Sequence, residues 1–182
     1  YIMLGDSTAI NHLGQAKLLA ESEKNDSALC SIYNGMGLYA SNIHRDYYSA
    51  LHYFFEGIEA THRCQYQELE AILLGNISSI YYLKDDPTGL TYSLQIYELG
   101  HQLNSAYLIF IGALNASYMY YLLHEYDKAL PYIQEAEFIM KQNEYYNQGN
   151  VYAIYGMIEF AKGNREQAVE YYKKGLSLND IN

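Results

Sequence analysis

Six histidines, two cysteines and 21 carboxylates are the side chains of this 182-residue sequence that could ligate a metal or move a proton. Their spacing argues against both. His44, His52 and His62 have no carboxylate at the offset that sets two imidazoles and a general base on one helical face. His62-Arg63-Cys64 alone brings two ligand types together, whereas a structural zinc takes about four. Cys30 and Cys64 stand 34 residues apart without a Cys-x-x-Cys pair, so they read as small buried apolar residues rather than a disulfide framework. Glu68 with Glu70, Asp85 with Asp86 and Glu135 with Glu137 read as solvated faces and turns. No nucleophile elbow or phosphate-cradling glycine loop occurs, and Gly35-Met36-Gly37 lacks a third glycine and follows a helical rather than a strand pattern. No enzyme, metal or cofactor is expected.

What remains are groups that bind without reacting. Tyrosine occurs 23 times, so much of the apolar surface carries a hydroxyl that must find water or a partner. The net charge of −10, from 21 acidic against 11 basic residues, opposes affinity driven by phosphate contacts, and nucleic acid is not expected as a direct partner. No run reaches the roughly 18 apolar residues of a membrane helix, so a soluble segment without membrane insertion is expected. No signal peptide is read in the opening residues, and a chain that starts on Tyr1 is read as cut from something longer. The compartment is open, cytoplasmic or periplasmic.

The elements that position these groups recur. Ala9, Ala50, Leu90, Ala129 and Ala168 are separated by 41, 40, 39 and 39 residues. An apolar residue follows each at +4 and a small or aromatic one at +7, as in Phe54 and Gly57 or Ile133 and Ala136, which puts all three on one helical face. An Asx residue precedes each, Asp6, Asp46, Asp86, Asp127 and Asn164, as expected of N-caps. Pro87 is expected at a first helical position and Pro131 within a first turn. A partner helix repeats too: Asn76-Ile77-Ser78 through Leu83 lies 39 residues before Asn115-Ala116-Ser117 through Leu122, and Asn34 with Tyr39 restores the same Asn-to-Tyr spacing. Gly156 aligns with Ser78 and Ser117, small residues that let helices approach. No strand pattern is found.

These residues resemble the tetratricopeptide repeat, most closely in the unit running from Tyr155-Gly156 through Gly163, Ala168, Tyr172 and Gly175. The resemblance covers nearly the whole chain, with a period of 39–41 in place of the ordinary ~34. It implies an all-α, right-handed solenoid of about nine antiparallel helices forming a single domain over residues 1–182. Its units are a half repeat at 1–26 and full repeats at 27–65, 66–105, 106–147 and 148–180. By the family's register, Asn34, Asn76, Asn115, Ser79, Tyr82, Tyr118, Tyr121, Met157 and Phe160 face a concave groove. The three asparagines resemble a ladder that holds an extended peptide backbone, since an amide both donates and accepts. The same residues would serve equally as hydrogen bonds and packing between helices.

A carboxylate clamp is excluded, because residues 31–43, 67–83, 107–124 and 149–161 hold no Lys or Arg. The resemblance therefore implies a module for protein or extended, uncharged or mildly basic peptide, as in the sensor or interaction region of a bacterial transcriptional or two-component regulator. A pure scaffold and a sugar- or metabolite-sensing domain are the alternatives. Val169, Tyr172 and Leu176 leave an apolar stripe on the last helix, where further repeats or a homodimer contact are expected.

Overall fold

The computed structural model describes residues 7–143 and 148–179. Among the described residues every regular element is helical: α1 (Ser7–Ser22), α2 (Asp26–Asn42), α3 (Tyr47–Cys64), α4 (Gln67–Leu83), α5 (Leu90–Gln102), α6 (Ala106–Leu122), α7 (Tyr126–Gln142), α8 (Gln148–Ala161) and α9 (Arg165–Asn179). A 3-10 turn at Pro87–Gly89 leads into α5. Within each unit helices consecutive in sequence pack on each other, α1 on α2 and α2 on α3 in the first and α5 through α9 in order in the second, giving a repeat-like helical architecture. No described helix is long and apolar enough to cross a membrane. The chain divides into two compact units, Tyr1–Ile80 and Tyr81–Asn182.

Helix starts follow local chemistry in most places. The Asp46 carboxylate accepts the Ser49 N–H at 3.1 Å and its hydroxyl at 2.6 Å, capping α3. Asp86 does the same for Thr88, at 3.0 and 2.7 Å, and Pro87 takes the first helical position after it. Asn25 caps α2 through the Ala28 N–H at 3.0 Å. Two expectations are corrected. α7 starts one residue before Asp127, with Glu125 as an N-cap that makes no side-chain cap bond, so Asp127 sits in the first turn near the helix's positive end. Pro131 lies inside α7, beyond the first turn, where it deletes a hydrogen bond that the helix would otherwise make. Asn164 directly precedes α9, but its side-chain amide donates to Glu159 at 2.7 Å. Asp6 lies outside the described residues.

Helix ends follow a rule the composition hides. Lys24, Arg45, Gln65, Asp85, Asn104 and His124 all take φ between 50° and 59°, the left-handed region usually left to glycine. Gly163, at φ 90°, completes the series. After most of them the next N–H reaches back to the carbonyl five residues earlier, Tyr66 to Thr61 at 3.1 Å, Ser105 to Gly100 at 2.9 Å and Glu125 to Tyr120 at 2.9 Å among them. This is the Schellman closure, which satisfies orphan carbonyls and reverses the chain in about three residues.

The first unit buries Leu29, Tyr33, Met36 and Tyr39 of α2, Ala50 and Phe54 of α3, and Leu69, Leu73 and Ile77 of α4. In the second, Phe110, Leu114 and Met119 of α6 meet Ala129, Ile133 and Met140 of α7 and Val151, Ile154 and Ile158 of α8. The repeating face is buried where a neighbour lies on it: Ala50, Ala129, Ala168 and Ile133 are at 0% exposure. Tyr172, the matching residue on α9, is exposed, as are Val169 and Leu176 beside it.

Candidate binding surface

In the first unit two of the three repeating asparagines meet. Asn76 on α4 donates its Nδ2–H to Asn34 Oδ1 on α2 at 2.8 Å, and both residues are half-buried. The bond leaves Asn34 with its own amide donors and Asn76 with its carbonyl acceptor. Ser79, one turn further along α4, is exposed and turns its hydroxyl back to the Gly75 carbonyl at 2.8 Å.

In the second unit the end of α4 and the C-terminal half of α6 carry a row of tyrosine rings. Tyr82 lies 4.3 Å from Tyr118 between centroids, Tyr118 lies 6.1 Å from Tyr121, and Tyr121 lies 5.9 Å from Tyr126 at the start of α7. Helical spacing aligns Tyr118 with Tyr121, and a Schellman turn at His124 brings Tyr126 alongside. Tyr118 is 8% exposed and donates its hydroxyl to Asp85, the left-handed residue of the turn after α4. Burial, then that hydrogen bond, raises the Tyr118 phenol well above its ordinary value; burial, then the Asp85 charge, raises Tyr82. Tyr82 and Tyr121 are half-buried and show part of their rings. Asn115, on the same helix, is 7% exposed. Met157 of α8 is half-buried against the core, and Phe160 near the end of α8 is 58% exposed.

Charge is partitioned by helix. All 11 basic residues lie on α1, α3, α7, α9 or in turns, so α2, α4, α6 and α8 carry none, and α6 has no charged side chain at all. A ligand meeting the open edge of α6 finds the half-buried rings of Tyr82 and Tyr121 and, beside them, Asp85. That chemistry suits backbone amides, apolar side chains and an occasional cation.

Two further tyrosine clusters were not read from the sequence. Tyr97 of α5 donates to Glu135 of α7 and packs edge-on against Tyr132 at 5.2 Å, and Tyr120 stacks on Tyr132 at 5.6 Å. Tyr152 and Tyr155 of α8 both donate to Glu137, at 3.0 and 3.1 Å, and Tyr171 stacks on Tyr155 at 5.0 Å. Burial and the bond to Glu137 push the Tyr152 phenol up to about 12. Burial works against the Glu137 carboxylate, but bonds from Lys141, Tyr152 and Tyr155 outweigh it and hold its pKa below the ordinary value. Glu135 and Glu137, expected on a solvated face, are instead half-buried acceptors for tyrosines 15 to 38 residues away. Among the described residues, no buried polar side-chain atom lacks a partner and no three metal-ligating side chains converge.

Compared with known proteins, the chain matches no protein-family model and no curated sequence.

Proposed function

We propose that the chain is a tetratricopeptide-type module, a right-handed solenoid of antiparallel helices, whose second unit binds an extended, uncharged or mildly basic peptide along α6. The observation that carries this reading is the Tyr82–Tyr118–Tyr121–Tyr126 row, which runs from the end of α4 past the two tyrosines of the charge-free α6 to the start of α7, with Asp85 accepting the Tyr118 hydroxyl. Rigid rings bury large area at little entropic cost, and a face without Lys or Arg has no anion to seek. The antiparallel arrangement is supported by the pairing of Gly100 with Ile109 and of Tyr97 with Gly112, in which positions rise along one helix as they fall along the other. Placement as the sensor or interaction region of a larger bacterial regulator rests on the family resemblance alone.

A second reading, an internal scaffold, is favoured by the Asn76–Asn34 bond, which spends ladder amides on each other. The test is a thermal-shift screen against a pool of neutral and singly basic peptides and, separately, oligosaccharides and small metabolites, because a ligand of the native state raises the midpoint. A peptide shift that Tyr121→Ala abolishes, with helicity intact, supports binding on α6. A shift lost instead in Asn34→Ala/Asn76→Ala moves the site to the first unit. Shifts with sugars or metabolites alone favour the sensing alternative, and none at all the scaffold.

A further inference from the structure

The first unit holds a pair of thiols that neither the tyrosine row nor the asparagine pair uses. Cys30 sits in the second turn of α2 and Cys64 is the last residue of α3, and their sulfurs stand 3.6 Å apart. Cys30 is 0% exposed, whereas Cys64 is partly open to solvent. Each thiol also faces a backbone acceptor, Cys30 the Asp26 carbonyl at 3.0 Å and Cys64 the Thr61 carbonyl at 3.7 Å. The same end of the helix pair is clasped by Arg63 Nε, which donates to Asp26 Oδ1 at 2.7 Å. The start of α2 and the end of α3 are thus held in register before any covalent bond forms. A disulfide needs its sulfurs at about 2.05 Å, so from 3.6 Å they must approach by roughly 1.5 Å.

We propose that Cys30 and Cys64 form an oxidation site, closed to an intramolecular disulfide by a small-molecule disulfide such as oxidised glutathione and reopened by thiols. Cys64, the accessible member, attacks as its thiolate; the glutathione S–S bond breaks, a Cys64–glutathione bond forms and one glutathione thiolate leaves. Cys30 Sγ then attacks Cys64 Sγ as its proton passes to the departing glutathione thiolate. The Cys30–Cys64 bond forms and the second glutathione leaves. Two protein thiols are oxidised and one glutathione disulfide is reduced to two thiols. Burial, reinforced by the hydrogen bond with Cys64, pushes the Cys30 thiol up to about 12, so the second step is the slow one and the mixed adduct appears first. The bridge closes a 34-residue span and restricts the unfolded chain, so the oxidised form melts higher.

The folded chain is incubated with oxidised glutathione, and residual thiols are capped with N-ethylmaleimide in denaturant before intact-mass and peptide analysis. The expected product has lost two hydrogens, takes up no maleimide, yields one Cys30–Cys64 crosslinked peptide, melts higher and reverts with dithiothreitol. In Cys30→Ser the reaction stops at a Cys64–glutathione adduct. The proposal is overturned by two maleimides on the treated protein, by a Cys64–glutathione adduct that persists in the unmutated chain, or by a crosslink between chains. Glutathionylation of Cys30 in Cys64→Ser as fast as of Cys64 in Cys30→Ser overturns the stated order of attack.

Discussion

A single methyl group added at Gly112 is expected to destabilise the second unit by about 2 kcal/mol, whereas the same group at Gly14 is expected to stabilise the first by about 0.5–1 kcal/mol. A Cβ on Gly112 would lie 2.5 Å from the Tyr97 backbone nitrogen and 2.7 Å from its Cα, roughly 0.9 Å inside the 3.4 Å at which ordinary contact begins. The obstacle is the backbone of α5, so no change of rotamer relieves it and α5 must move off α6. Overpacking a close-packed interior costs about 1–3 kcal/mol, with a rigid backbone at the upper end, and alanine's helix advantage of about 1 kcal/mol is subtracted. Moving α5 also opens the second close approach, at Gly100, where a Cβ would lie 2.6 Å from the Ile109 nitrogen. At Gly14 no atom lies within 4 Å, so only the helix gain remains. Urea unfolding followed by far-ultraviolet circular dichroism reads both variants, the loss at Gly112 amounting to a roughly 30-fold change in the folding equilibrium. Equal signs for the two variants, or a Gly112→Ala cost below about 0.5 kcal/mol, would refute the close α5–α6 approach that sets where α6 carries its tyrosines.

Gln65→Gly and Lys24→Gly each relieve a left-handed non-glycine residue, and strain relief of about 1–2 kcal/mol less glycine's entropy cost of about 0.5–1 predicts a gain near 0.5 kcal/mol in urea unfolding. Gly163→Ala, at φ 90°, is expected to move the opposite way. Alkali should destabilise the fold: the Tyr152 phenol, raised to about 12, keeps its proton in the native state while unfolded tyrosines ionise near 10, so stability is whole below about pH 10 and falls as pH climbs towards 12. A urea midpoint unchanged across that window would contradict the phenol–carboxylate contacts, and Tyr152→Phe should flatten part of the slope. A double-mutant cycle on Asn34→Ala and Asn76→Ala should show about 0.5–1.5 kcal/mol of coupling, and additive losses would mean that the 2.8 Å bond contributes nothing.

The helices were legible because their signals are local. Asp46 and Asp86 cap as read, since an Asx oxygen reaches an N–H two or three residues on within one turn. Ala50, Ala129 and Ala168 mark buried faces because 4-and-3 spacing repeats wherever a helix has a neighbour. The same reasoning placed the cap at Asp127, two residues past the actual N-cap Glu125, and put Pro131 a turn too early. α7 starts at Tyr126 behind an N-cap, Glu125, that makes no side-chain bond, so no Asx signal marks that start. The turns were illegible because lysine, arginine, glutamine and histidine occupy positions where glycine would have announced a left-handed residue.

Two descriptions of the site divide in the same way. Sequence alone determined that α2, α4, α6 and α8 would carry no cation and that tyrosines and asparagines would recur on them, since composition and period need no coordinates. Only the tertiary structure decided that Asn34 meets Asn76, 42 residues away, that Tyr118 spends its hydroxyl on Asp85 and Tyr97 on Glu135, and that Asn115 is enclosed. The physical reason is range: a helix is fixed by neighbours three and four residues apart, whereas the partner of a buried polar group is chosen by whichever helix packing brings within about 3 Å.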